Sequence, residues 1–215
     1  MYSPRALINL KNLKDNINYL KQLSQDSILY PVIKANAYGH GLIEIGSFLS
    51  KNNINCVCVA TYEEIKELID ANIKIDFLHL GKICYDNLNL YFNKNVIATI
   101  NSVEDVEKII SATKKYDRVI RCHVKIDTGL NRMGCKESDF KYICESILKN
   151  RNLLELEGVY SHLSSSTDPD SSSNFDQFKK FERAIHSISS YQKINFHILN
   201  SGGLFNYKQY RFDII

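Results

Sequence analysis

The chain has 215 residues, 44% of them hydrophobic and 24% charged, which is room for one large globular domain or two small ones. Its 27 basic and 24 acidic residues leave a formal charge of +3 with no block of like charge, so nucleic acid is not an expected partner. There is no apolar run of membrane-spanning length and no apolar leader core after Met1, which argues against a membrane span or secretory leader and for a cytoplasmic protein.

Leu13, Ile17, Leu20 and Leu23 predict a helix over 12–23. The run ILYPVIKAN (28–36) reads as a strand, and CVCVA (56–60) as the next. Cys56 and Cys58 share a face there, but no second pair follows at zinc spacing. They and Cys84, Cys122, Cys135 and Cys144 read as free thiols of a reducing compartment. Ile65, Leu68 and Ile69 mark a helix, followed by strands FLHL (77–80) and VIATI (96–100). Ser102 with Asp105 gives a loose capping box for a helix carrying Val103, Val106, Ile109 and Ile110. HVKID (123–127) is a strand, and Phe140, Ile143, Cys144, Ile147 and Leu148 form a helical stripe. LEGVYSH (156–162) leads into the serine-rich loop 164–174, then a helix through Phe175, Phe178, Phe181, Ile185 and Ile188. NFHIL (195–199) and RFDII (211–215) are the last two strands. Eight strands alternating with helices predict a parallel sheet closed as a (β/α)₈ TIM-type barrel, one domain over 1–215, truncated after the eighth strand. The absent eighth helix would leave an apolar strip on the first and last strands.

Four segments hold residues fit for chemistry. Lys34, near the end of its strand, loses hydration and suits Schiff-base chemistry, although such a lysine can also simply snorkel to solvent. Tyr38 could reach the same mouth, and Gly39 and Gly41 allow a sharp turn. On one strand face lie His123, Lys125 and Asp127, with Asp127 expected to pair with Lys125 or with Arg132 of the following loop. His162 ends a strand as a candidate acid, base or hydrogen-bond donor. His197, Asn200 and Ser201 precede a helix whose start could hold a phosphate, or could be an ordinary Asn-Ser cap.

Together PVIKANAYGHG, HVKIDTGLNRMG, YSH and HILNS resemble, in this order, segments of the bacterial alanine racemases, which use pyridoxal 5′-phosphate (PLP). The resemblance implies that Lys34 carries PLP and works as a base on one face of the substrate. It implies that Tyr38 and Ser201 bind the phosphate, and that Arg132 holds the phenolic oxygen near the substrate carboxylate. Lys125 matches a lysine that is carbamylated in many members. His162 and Asn200 would lie around the cofactor, with His197 behind them. Alanine is the implied substrate, D-alanine for peptidoglycan the implied product, and a homodimer the family assembly. The family's second base, a tyrosine of a C-terminal β-domain, has no counterpart in these motifs. Nor has the arginine that follows the last strand and binds the pyridine nitrogen. This chain alone is therefore expected to be weakly active or inactive. Two other readings stand beside this one: a non-catalytic PLP-binding homeostasis barrel, and a barrel holding a metal with His123, Asp127 and His162.

Overall fold

The computed structural model describes residues 5–114, 116, 118–189 and 194–215. Six parallel strands form one curled sheet in the order β1-β2-β3-β4-β5-β6. They are β1 (Cys56–Val59), β2 (Asp76–His79), β3 (Val96–Ile100), β4 (Ile120–Lys125), β5 (Leu154–Tyr160) and β6 (Asn195–His197). The right-handed helices are α1 (Leu10–Ser24), α2 (Leu42–Lys51), α3 (Tyr62–Asp70), α4 (Val103–Thr113), α5 (Glu137–Lys149), α6 (Ser172–His186) and α7 (Ser201–Asn206).

The strands are short and apolar on both faces because both faces are covered. Val57, Val59, Phe77 and Ala98 belong to the large core against the helices. Cys56, Cys58, Leu78 and Ile97 form a second cluster inside the curl, with Tyr30 and Leu80 against it. Burial pushes the Cys58 thiol up to about 12 and Cys56 well above its ordinary value, so both pack as small neutral groups.

The first and last predicted strands are reduced to single bridges. Ile28 bridges Ile214, and Val32 bridges Cys58. Tyr30 N–H donates to Ile215 O at 2.7 Å, and Ile33 N–H to Cys58 O at 2.9 Å. Pro31 has no N–H to extend that ladder, and extended backbone ends at Ile33, where a turn begins. At the other end the Asp213 carboxylate takes the Phe196 N–H at 2.8 Å, a donor that a regular ladder would pair with backbone. Ile28 and Val32 remain 47% and 40% exposed.

The helix starts follow their sequence signals. Thr61 and Glu64 make a reciprocal capping box on α3. Ser102 caps α4 by accepting the Asp105 N–H at 3.1 Å. Asp105, one methylene shorter than Glu, bonds the Asn101 N–H at 2.8 Å and the Tyr85 hydroxyl at 2.6 Å. At the amino ends of the strands Arg121 lies between Asp76 (2.7 Å) and Glu157 (2.5 Å) and donates to the Lys94 carbonyl. The inner face of β4 thus carries Arg121 low, His123 in the middle and Lys125 at the mouth.

Candidate active site

Residues Ala35, Asn36, Ala37 and Tyr38 all have φ between 51° and 56°, a full left-handed turn of non-glycine residues. Each such residue costs roughly 1–2 kcal/mol against right-handed helix, asparagine least. Local bonds close the turn on itself. Ala37 N–H donates to Ile33 O at 2.8 Å, and Gly41 N–H to Asn36 O at 3.0 Å. Leu42 N–H donates to the Asn36 side chain at 2.7 Å. Nδ1 of His40 faces the carbonyls of Ala37 and Tyr38, so that nitrogen carries the proton. Gly39 (φ 84°) and Gly41 (φ 97°) continue the positive-φ path into α2. Lys34 therefore stands at the head of this turn, just past the extended segment and not within a strand, and is half-buried.

Lys125 ends β4 and is 5% exposed. Burial, then the Arg132 and Lys34 charges, lower its pKa to about 8 against the opposing pull of Asp127. Its Nζ lies 5.3 Å from the Tyr160 ring centroid, and the Tyr160 hydroxyl bonds Thr99 Oγ1 at 3.0 Å. His162, half-buried just past β5, is pushed down to about 4 by burial and by Lys125, Arg132 and Lys34. Lys34, Lys125, Arg132 and His162 are thus within electrostatic reach of one another at the carboxyl ends of the strands. Among the described residues none of Lys34, Lys125 and Arg132 forms an ion pair with a carboxylate.

The expected pairing of Asp127 is not formed. Its Oδ1 accepts the N–H groups of Gly129 (3.0 Å) and Asn131 (3.1 Å) and folds the loop that presents Arg132. A side chain on Gly134 would strike the Asp127 nitrogen at 2.7 Å, which requires glycine at that closure. His123 is also committed elsewhere: its Nδ1 lies 3.0 Å from His197 Nε2. Both are driven toward the neutral form, His123 to about 3, by burial first. A register shift in β4 at Cys122/His123 and the absence of a side chain at Gly158 make room for the His123 ring. The His197 ring stacks on Tyr160 at 4.7 Å. His123, Asp127 and His162 do not converge, and no group of three metal-ligating side chains occurs among the described residues.

Asn200 caps α7 by accepting the Gly203 N–H at 3.0 Å, with Ser201 exposed as the first helical residue. Tyr38 is exposed on the left-handed turn. No described hydrogen bond joins either hydroxyl to the cationic group.

Sequence reasoning missed the polar cluster that ties the mouth loops together. Gln177, buried on α6, donates to Thr128 Oγ1 (3.1 Å) and to the His162 carbonyl (2.9 Å), and its Oε1 accepts from Ser164 N–H (2.8 Å). Asn174 donates to Ser165 O at 2.7 Å and Tyr207 Oη at 2.9 Å. The available signal was the spacing: Asn174 and Gln177 are polar residues three apart on the stripe of Phe178 and Phe181.

The family profile described as alanine racemase, N-terminal domain, matches residues 8–215. An alanine racemase of Borreliella burgdorferi is 35% identical over 210 residues, covering 94% of this chain and 54% of that relative. One of Methanococcus maripaludis is 31% identical over 186 residues, covering 85% of this chain and 49% of the relative. The chain thus spans about half the length of the curated relatives it matches. The solved alanine racemase of Clostridium difficile 630 superposes with a TM-score of 0.90 at 26% identity, over 97% of this chain and 55% of that one. A Bartonella henselae alanine racemase, described with covalently bound pyridoxal phosphate, has the same fold at 22% identity, with a TM-score of 0.85 over 96% of this chain and 59% of that one. Motifs, fold and profile agree, and the chain belongs to the alanine racemase N-terminal domain family.

Proposed function

We propose that this chain is the PLP-binding barrel portion, a single domain over 1–215, of a cytoplasmic alanine racemase that interconverts L- and D-alanine. In this reading the segments around Ile28 and Ile214 serve as the first and eighth staves of an eight-stranded barrel. The observation that carries the reading is the unpaired cationic group at the mouth: Lys34, Lys125 and Arg132 without a carboxylate partner among the described residues. Such a donor set fits a phosphorylated, phenolic aldehyde, which brings the missing negative charge.

Lys34 would hold the cofactor through its Nζ, and as a free amine it would take and return the substrate α-proton on one face. Bound PLP supplies the electron sink for the pair left behind by that proton. Arg132 holds the phenolic oxygen and the substrate carboxylate, and Tyr38 and Ser201 hold the phosphate. His162 and Asn200 border the cofactor. Electrically neutral His162 can donate or accept there without adding to the positive charge. The burial that lowers the Lys125 pKa to about 8 enlarges its neutral fraction, the form that takes up carbon dioxide as a carbamate and would then face Arg132 with a negative charge. His197 supports the site from behind through His123 and Tyr160. Proton return on the opposite face needs a second acid, which in this reading lies outside these 215 residues, with the homodimer partner completing the site. The product D-alanine would feed peptidoglycan synthesis.

The test is an absorbance spectrum of the chain with PLP, followed by borohydride reduction and peptide mapping. The expected result is a visible band that reduction fixes to Lys34 and that Lys34→Ala lacks, with slow or undetectable racemisation. A folded chain that gives no band refutes cofactor binding by this chain. A fixed adduct without exchange of the alanine α-hydrogen, in a protein extended to its relatives' length, would favour a non-catalytic carrier.

A further inference from the structure

We propose that Glu64 is a positioning residue for Lys34, an inference that rests on Lys34 being the cofactor lysine. Glu64 stands in the first turn of α3, just past the carboxyl end of β1. Its Oε2 does the ordinary work of a capping box, accepting the N–H groups of Ala60 (2.8 Å) and Thr61 (3.1 Å). Its Oε1 does something that a capping box does not require. It accepts the N–H of Ala35 at 2.5 Å, from a residue 29 positions upstream.

Ala35 is the first left-handed residue, and its N–H belongs to the peptide that joins it to Lys34. The bonds that close the turn on itself use the N–H groups of Ala37, His40 and Gly41. Among the described bonds the Ala35 N–H has Glu64 alone. One carboxylate therefore joins two neighbouring mouth loops and fixes the plane of the Lys34–Ala35 peptide. Holding that plane restricts rotation about the Lys34 Cα–C bond, and with it the directions in which the Lys34 side chain can leave the backbone. An exposed, strained turn of non-glycine residues would otherwise be free to relax at its entry. The consequence is specific: the helix cap and the lysine clamp use different oxygens, so they separate by substitution. Glutamine keeps one acceptor oxygen for the cap and offers only an amide NH₂ toward Ala35. Thr61→Ala removes the reciprocal half of the cap and leaves both carboxylate oxygens.

The experiment uses the 215-residue chain as wild type, Glu64→Gln and Thr61→Ala. Amide hydrogen exchange is measured at Ala35 without cofactor, and the rate of borohydride-fixed PLP attachment to Lys34 is measured separately. In Glu64→Gln, exchange at Ala35 should rise by about tenfold, in keeping with the loss of one charge-assisted bond, and attachment should slow severalfold. Thr61→Ala should leave both within about twofold while lowering the stability of α3. Equal attachment rates in wild type and Glu64→Gln would overturn the proposal. So would an Ala35 amide that is unprotected in the wild type, a measurement that needs no variant to fold. If the wild-type chain forms no adduct at Lys34, the cofactor reading fails, and the exchange data alone then decide the clamp.

Discussion

Acid should unfold this protein earlier than its carboxylates would dictate, because its interior holds histidines in the neutral form. His123 is pushed down to about 3 and His162 to about 4 from an ordinary value of 6.5, with burial the first cause for each. Once unfolded, both take up protons below about pH 6.5, while the folded chain leaves them bare until pH 3–4. The unfolded state therefore binds more protons throughout that window, so stability is intact above pH 7 and falls as the pH drops through 6.5. Each group contributes a loss of about 2 kcal/mol between pH 7 and pH 5, or about 4 kcal/mol for the pair. His79 and His197 shift in the same direction, again through burial first, and steepen the fall. Against a typical stability of roughly 5–15 kcal/mol this is a large part of the total. With a urea slope of about 2 kcal/mol/M, the midpoint should move down by about 2 M. Urea titrations at half-unit steps from pH 7.5 to 5, on wild type and His123→Leu, measure it. The variant should lose about 1.4 kcal/mol per pH unit of slope, one proton's worth, near pH 5. A wild-type loss below about 1 kcal/mol over this range, or an unchanged slope in His123→Leu, would refute the reasoning.

Gly158→Ala places a methyl 2.6–2.8 Å from three atoms of the buried His123 ring and should cost about 2–3 kcal/mol in urea unfolding. Arg121→Met leaves Asp76 and Glu157 without their counter-charge and should cost about 3 kcal/mol, yet leave the proposed PLP attachment at the carboxyl ends of the strands unchanged. Gln177→Leu strips bonds from Thr128, Ser164 and the His162 carbonyl; a loss of about 2 kcal/mol and faster protease nicking between 164 and 171 are expected. Ala35→Gly relieves a left-handed residue on an exposed position and should raise stability by up to about 1 kcal/mol, while Ala35→Val should lower it.

The sequence was most legible where local preference and burial agree. VIATI is β-branched, buried on both faces, and forms a strand over the predicted residues 96–100. The flanking runs 28–36 and 211–215 are also rich in large apolar residues but are reduced to isolated bridges, beside a proline without an N–H and an aspartate that stands in for a backbone acceptor. The left-handed turn was invisible because alanine and tyrosine carry no preference for it. It is held by side-chain bonds that no residue pattern announces, Asn36 accepting from Leu42 within the segment and Glu64 accepting from Ala35 across to the next loop. The position of Lys125 at the end of its strand and of Arg132 and His162 just beyond theirs was legible, because the strands HVKID and LEGVYSH were read from their composition. The Asp127 partner was misjudged because charge complementarity ignores the nearer demand of a tight loop for an acceptor.

The Arg121 bridge has a consequence for how charge is distributed over the sheet. One guanidinium held between Asp76 of β2 and Glu157 of β5, and donating to the Lys94 carbonyl just before β3, ties neighbouring strands together at their amino ends. The charges at that rim are spent on one another. At the opposite rim Lys34, Lys125 and Arg132 have no carboxylate partner among the described residues. The sheet is thus electrically saturated at one edge and open to an anion at the other.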